Sequence, residues 1–196
     1  TFENLKKNTT ILINKNINFE IIHNGIAIKK ISRKTKLFKK KKNIVYALVL
    51  SRLEYGKGHL DLVDAFKHLP NKIKPKYKVY FIGKGNSMFE KKLKNKIKNL
   101  NLQNNFVFGG YLNQDSREII MNFDLLISPT REFEGFGLSI AESLSVGVPV
   151  ISTKVGGVLD YLNKKNSILV EPKNPKALAY SLELFLQNMV KYKKKA

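Results

Sequence analysis

The chain contains no cysteine, which excludes a disulfide framework and any thiolate-held metal and leaves a reducing compartment compatible. No apolar run is long enough to cross a bilayer as a helix. The three histidines, His23, His59 and His68, stand apart from acids at metal-ligand spacing, so no zinc site or other metal is expected. A serine nucleophile elbow and a P-loop sequence are both missing. Acids are scarce, 15 against 36 basic residues, and only Arg33, Arg52, Arg117 and Arg131 among those 36 are arginine. Sequence-specific nucleic-acid readers lean on the bidentate guanidinium fork, so this balance argues against one. Lysine that rises together with asparagine and isoleucine is the bias of an AT-rich genome, which accounts for part of the net charge of +21. The lysine runs 39–42 and 193–195 remain candidates for contact with an anionic membrane surface. The chain begins at Thr1 rather than Met and shows no signal-peptide pattern. It is therefore expected to be a piece of, or a partner to, something longer.

What is present is the pattern of one α/β domain. A length of 196 residues suffices for one well-buried core and falls short of two. Short β-branched runs alternate with longer helix-period stretches, the mark of a parallel sheet covered by helices. Strands are predicted over 44–50, 77–82, 106–108, 125–128, 148–152 and 168–170. Helices are predicted over 59–68, 87–100, 116–122, 138–145 and 158–162. A last helix is predicted from Pro175 to about Val190, capped by Asn174 and with Leu178, Tyr180, Leu182, Leu184, Phe185 and Val190 as its apolar residues. The whole reads as a Rossmann-like, doubly wound parallel sheet of about six strands, with ligands expected at the strands' carboxyl ends. Residues 1–42 differ: they read as the tail of a preceding unit, ending in an exposed linker over 29–42. Residues 43–196 form the domain proper.

The chemistry concentrates in one segment. Glu134 and Glu142 enclose seven residues, Gly135-Phe136-Gly137-Leu138-Ser139-Ile140-Ala141, a glycine-bearing loop that opens a helix. Unpaired N–H groups and the helix dipole make such a loop an anion site, and carboxylates beside it suit the hydroxyls of a sugar. Phosphate plus sugar suggests a nucleotide-sugar. Either acid alone is equally an ordinary cap or a solvated helix residue; the pair at this spacing carries the reading. Arg52 and Lys57, after the first strand and among Gly56 and Gly58, are placed to grip a diphosphate, with solvated loop charges as the plainer alternative. Gly83-Lys84-Gly85 reads as a tight strand-to-helix turn that also allows backbone contact with the ligand. At Phe108-Gly109-Gly110-Tyr111, an approach to a nucleobase and a plain turn stand equally. Gly156-Gly157 reads as another loop built for close backbone approach. His59 and His68 read as surface or boundary residues.

In order, His23-Asn24-Gly25, Ser51-Arg52-Leu53 with Lys57-Gly58, Gly83-Lys84-Gly85, Phe108-Gly109, Ser128-Pro129-Thr130, the Glu134–Glu142 segment, Gly147-Val148-Pro149-Val150 and Gly156-Gly157 resemble the donor-binding C-terminal half of GT-B glycosyltransferases of the large retaining family 4. The resemblance implies that Arg52 and Lys57 bind the donor diphosphate and that Glu134 faces the donor sugar. It implies that Gly135, Phe136, Gly137 and Leu138 offer amides to sugar and phosphate, that Glu142 binds the ribose, and that Gly83, Gly110 and Tyr111 complete the donor site. The implied reaction is retaining transfer from a UDP- or GDP-sugar to a glycan or lipid-linked acceptor, without a metal or cofactor. Arg52, Lys57 and Glu134 carry the chemistry in that reaction. The expected location is cytoplasmic, with the basic surface making the inner face of the plasma membrane a candidate site. Ala27 stands where the family has Asp, and Asn166-Ser167 where it often has Gly. Because the acceptor-binding half is absent from this chain, the resemblance implies a domain that binds donor weakly and transfers nothing by itself. Two other readings stay open: a non-catalytic nucleotide-sugar-binding module, and an α/β protein that binds nucleic acid through charge alone, with a steep salt dependence.

Overall fold

The computed structural model describes residues 22, 24–26, 31 and 36–194; His23 and Ala27 lie outside them. Six short apolar runs become strands: β1 (Val45–Leu50), β2 (Tyr77–Ile82), β3 (Phe106–Gly110), β4 (Leu125–Ser128), β5 (Val150–Thr153) and β6 (Ser167–Val170). All pair in parallel, in the order β3-β2-β1-β4-β5-β6. Both faces of the sheet are covered, so its central strands are apolar in both directions: Val45, Ala47 and Val49 of β1 point into one core, Tyr46 and Leu48 into the other.

Helices α1 (His59–His68), α2 (Ser87–Asn99) and α5 (Pro175–Gln187) bury Leu62, Phe66, Leu93, Ile97, Leu182 and Phe185 against the first face. On the second, α3 (Ser116–Ile120), α4 (Leu138–Ser145) and the 3-10 turn Gly156–Asp160 bury Ile119, Ile120, Ile140 and Val158. A short helix α6 (Met189–Lys193) closes the described chain. Side chains start the helices where capping chemistry requires. Asn86 accepts from the amides of Met88 and Phe89, and Asn174 from that of Ala177, with Pro175 in the first turn. Strand order reverses between β1 and β4, one connection leading to the first face and the other to the second. That reversal opens a crevice at the strands' carboxyl ends, where open α/β sheets take ligands.

The departures from the sequence reading have local causes. β3 continues through Gly109 and Gly110 because Ile82 still has a parallel partner there, and the Gly83 amide donates to the Gly110 carbonyl at 2.7 Å. Residues 156–160 form a 3-10 turn rather than a helix over 158–162. The terminal helix breaks at Asn188, and Tyr180 and Val190 are exposed, since of the expected apolar residues Leu178, Leu182 and Phe185 share the buried side of a 3.6-residue repeat, together with Ala179 and Ser181. Within the expected linker, Lys39 to Lys42 are exposed, while Leu37 and Phe38 are half-buried. Phe38 stacks against both Tyr46 and Tyr80, at 4.8 and 4.7 Å between ring centroids, and meets Phe123 edge-on. The Leu37 amide donates to Asn122 Oδ1 at 3.3 Å. The domain is thus knitted in from residue 37.

Phe38→Ala is expected to lower the unfolding free energy in urea by about 2–3 kcal/mol, the range for a large aromatic removed from a partly buried cluster. A loss below about 0.5 kcal/mol, typical of a surface change, would mean that the segment lies free of the domain.

Candidate active site

The crevice between β1 and β4 is a cleft of about 920 Å³. Two loops distant in sequence meet across it. After β1, Tyr55–Lys57 forms a 3-10 turn ending at Gly58; after β4, Pro129 to Gly137 leads into α4. Lys57 Nζ donates to Glu134 Oε2 at 2.8 Å, and both side chains are about one-fifth exposed, at 18 and 19%. The Thr130 hydroxyl approaches the same carboxylate oxygen at 3.5 Å.

The seam is built from backbone as well as charge. Gly58 has φ +72°, and a Cβ there would lie 1.8 Å from the Pro129 carbonyl oxygen, so only glycine lets these loops close. The Arg131 amide donates to the Gly56 carbonyl at 2.8 Å. Its guanidinium sits 4.6 Å from the Tyr55 ring centroid and donates to Asp61 Oδ1 at 2.6 Å. Burial pushes the Asp61 carboxyl above its ordinary range while Arg131's charge opposes that shift. Arg131 thereby holds the turn that carries Lys57 against the loop that carries Glu134.

From the other side, Gly156-Gly157 holds the glycine loop. Gly156 has φ +59°, with the Glu134 carbonyl oxygen 2.1 Å from where its Cβ would be, and the Gly157 amide donates to that carbonyl at 2.8 Å. The close approach read from this glycine pair is therefore an approach to the protein's own backbone. The Tyr161 hydroxyl donates to the Phe136 carbonyl at 2.6 Å, and burial, then the charge of Glu134, raises its pKa. So fixed, Gly137 starts α4 in the left-handed region with no side-chain cap, leaving the helix's first amides open to the cleft.

The cleft brings together Arg52, Lys57, Gly83, Tyr111, Glu134, Gly135, Phe136, Gly137, Leu138 and Glu142. Gly110 stands outside its lining, its carbonyl committed to Gly83. Arg52 lies at the rim, its side chain 75% exposed and 3.1 Å from Glu54. Glu142 is half-buried one turn into α4, on the same side as Leu138. Asn24 reaches the lining too.

Several contributors escaped the sequence reading. Gln114, Ser116 and Ile119 supply a wall from the β3–α3 connection, a polar stretch without a motif to mark it. Asp115 caps α3 and grips the Arg117 fork, which raises the Arg117 pKa, with a smaller contribution from Glu142. His59 is not a surface residue: it is fully buried, edge-on to Phe81 at 5.0 Å, with Nε2 3.4 Å from the Ser51 hydroxyl of the cleft wall. Burial lowers its pKa from 6.5 to about 4, opposed by the Glu54 carbonyl and assisted by the charge of Lys57.

A parallel six-stranded Rossmann-like sheet, with a cation-and-carboxylate seam at its switch point, defines the class of open α/β domains that take ligands at the carboxyl ends of their strands, and comparison with known proteins narrows it. The model of the family described as glycosyl transferases group 1 matches residues 28–196; the chain belongs to that family. It is 30% identical over 156 residues to the 2-deoxystreptamine N-acetyl-D-glucosaminyltransferase of Niallia circulans, covering 79% of this chain and 38% of that one. It is 40% identical over 106 residues to the poly(glycerol-phosphate) alpha-glucosyltransferase of Bacillus subtilis, covering 54% and 15%. Among solved structures, Anabaena HepE in complex with UDP superposes with a TM-score of 0.71 at 26% identity, covering 77% of this chain and 41% of that one. The same protein has been seen with UDP-glucose. The architecture is that of a GT-B glycosyltransferase domain. The chain spans about two-fifths or less of the length of these relatives.

The buried neutral His59 makes stability pH-dependent. The unfolded chain binds the imidazole proton near pH 6.5 and the folded chain only near 4, so unfolding takes up a proton between those values. The stabilisation is complete above pH 6.5 and drains away as pH falls towards 4, by about 3 kcal/mol in total. Urea unfolding at stepped pH should show this slope in the parent chain and lose it in His59→Phe. An unchanged slope in the variant would assign the acid sensitivity elsewhere.

Proposed function

We propose that this chain is the donor-binding half of a retaining glycosyltransferase of family 4, holding a nucleotide-diphospho-sugar in the β1–β4 cleft. The observation that carries the reading is the 2.8 Å contact between Lys57 and Glu134 beside the uncapped start of α4. It sets a cation for phosphate, an acid for sugar hydroxyls and a row of amides around one cavity. Charge gathers on the departing diphosphate as the glycosidic bond breaks, and fixed positive groups in a sheltered cleft stabilise that charge. Lys57, Arg52 and the α4 amides supply them, so the reading calls on no metal or cofactor. Glu134 orients the sugar, and Glu142 accepts from the ribose hydroxyls.

Uridine is the favoured base, supported by the UDP and UDP-glucose complexes of Anabaena HepE, with guanosine the alternative. The acceptor, a glycan or lipid-linked sugar, belongs to the part of the relatives that this chain does not span. Cell-envelope polymers are supported as products by the glucosyltransferase of Bacillus subtilis named for poly(glycerol phosphate).

Calorimetric titration of the chain with UDP and GDP tests the reading. UDP is expected to bind the more tightly. Lys57→Ala, Arg52→Ala and Glu142→Ala should each weaken it by about 10-fold or more, the worth of one hydrogen bond to a charged group. Undiminished affinity in all three variants would place the nucleotide elsewhere.

A further inference from the structure

The two ends of the sheet differ in charge. The loops that leave the strands, around the cleft, carry as many carboxylates as cations. Among the described residues, the loops that enter the strands carry lysine at 36, 39–42, 72, 74, 76, 164 and 165, and a single carboxylate, Asp124. A compositional surplus of lysine would load both ends alike. The fold has sorted it to one.

That end is assembled from both ends of the chain. Asp124 accepts from Lys40 Nζ at 2.9 Å, from Lys193 Nζ of α6 at 3.1 Å and from the Tyr46 amide at 3.0 Å. Lys40 and Lys193 thus meet over one carboxylate, already fully engaged. Around them Lys39, Lys41, Lys42, Lys191 and Lys194 are exposed, and Val190 projects among them at 69% exposure.

We propose that this amino end of the sheet is a docking face for an anionic lipid bilayer. Lysine ammonium groups are compact, freely moving charges that respond to the field of a headgroup layer without needing a fixed partner. No arginine stands at that end among the described residues, which disfavours the forked recognition of nucleic-acid phosphates and bases. Val190 adds an apolar tip that headgroups admit and a polyanion in water does not. The cleft opens at the opposite end of the strands, so docking leaves it free, and the inference is independent of what the cleft binds.

The test is sedimentation of the whole chain with phosphatidylcholine vesicles, with and without phosphatidylglycerol. Binding only to the phosphatidylglycerol vesicles is expected, released by salt as surface charge is screened. Combined Lys39→Glu, Lys42→Glu, Lys164→Glu and Lys165→Glu should lower the partition by about 100-fold or more. Lys91→Glu, Lys92→Glu, Lys94→Glu and Lys176→Glu, the same charge change on α2 and α5 away from the entering loops, should lower it far less. A footprint on the unaltered chain guards against misfolded variants: bound vesicles should shield lysines 39–42, 164 and 165 from acetylation and leave 91, 92 and 176 reactive. Equal loss in the two variants, uniform shielding, or no vesicle binding by the parent chain overturns the proposal. Displacement from vesicles by RNA at lower concentration than by competing phosphatidylglycerol overturns it in favour of a nucleic-acid partner.

Discussion

The contact between Lys57 and Glu134 joins residues 77 positions apart across the one place in the sheet where connections part to opposite faces. As a partly exposed pair it contributes only about 1 kcal/mol or less to stability. Its consequence is positional. Each charge holds the other at the mouth of the cleft, so cation and acid face the same cavity rather than folding back onto their own loops. Everything nearby serves that registry: glycine at 58 lets the β1 loop touch the β4 loop, Arg131 clamps the turn bearing Lys57, and Gly156-Gly157 clamps the backbone of Glu134 from behind. The loops are irregular, yet backbone contacts at Gly56, Gly58 and Gly157 back up the side-chain pairs, which is why the site has a defined shape without regular structure of its own.

Much of this was legible in the sequence because strand and helix periodicities are local. β2, β4, α1 and α4 fall where their apolar spacing places them, and the sheet class follows from strands apolar on both faces. The site was legible for a different reason: a glycine loop between two acids is a chemical pattern, readable without knowing which loops touch. What escaped depends on contacts made over long separations. Phe38 looks like a stray aromatic in a lysine-rich linker until Tyr46, Tyr80 and Phe123 converge on it. His59 begins an amphipathic helix and reads as a boundary residue, but its end of the helix dives beneath the cleft floor against Phe81. Arg131 reads as one more loop cation, and its partner Asp61 lies in another helix.

The same sheet separates two kinds of surface. At the carboxyl ends, charges are matched and fixed by partners, as a site that must discriminate one small ligand requires. At the amino ends, lysines crowd with one engaged acid between them, an arrangement with no geometric selectivity and a strong net field. A rigid parallel sheet keeps these two surfaces apart by the length of its strands, so the charge of each can change without disturbing the other. Membership of the glycosyl transferases group 1 family gives the carboxyl end its precedent. The amino end owes its character to the lysines of this particular chain.

The central claim is that the nucleotide-sugar lies along the Lys57–Glu134 seam with its phosphates at the start of α4. Amide chemical-shift mapping of the chain with UDP and then UDP-glucose addresses it residue by residue. The account predicts that both ligands move the amides of Gly137, Leu138 and Ser139, that the sugar adds shifts at Glu134 and Gly135, and that the loops entering the strands stay still. Shifts concentrated among those entering loops, or a UDP-glucose map identical to that of UDP, would contradict it.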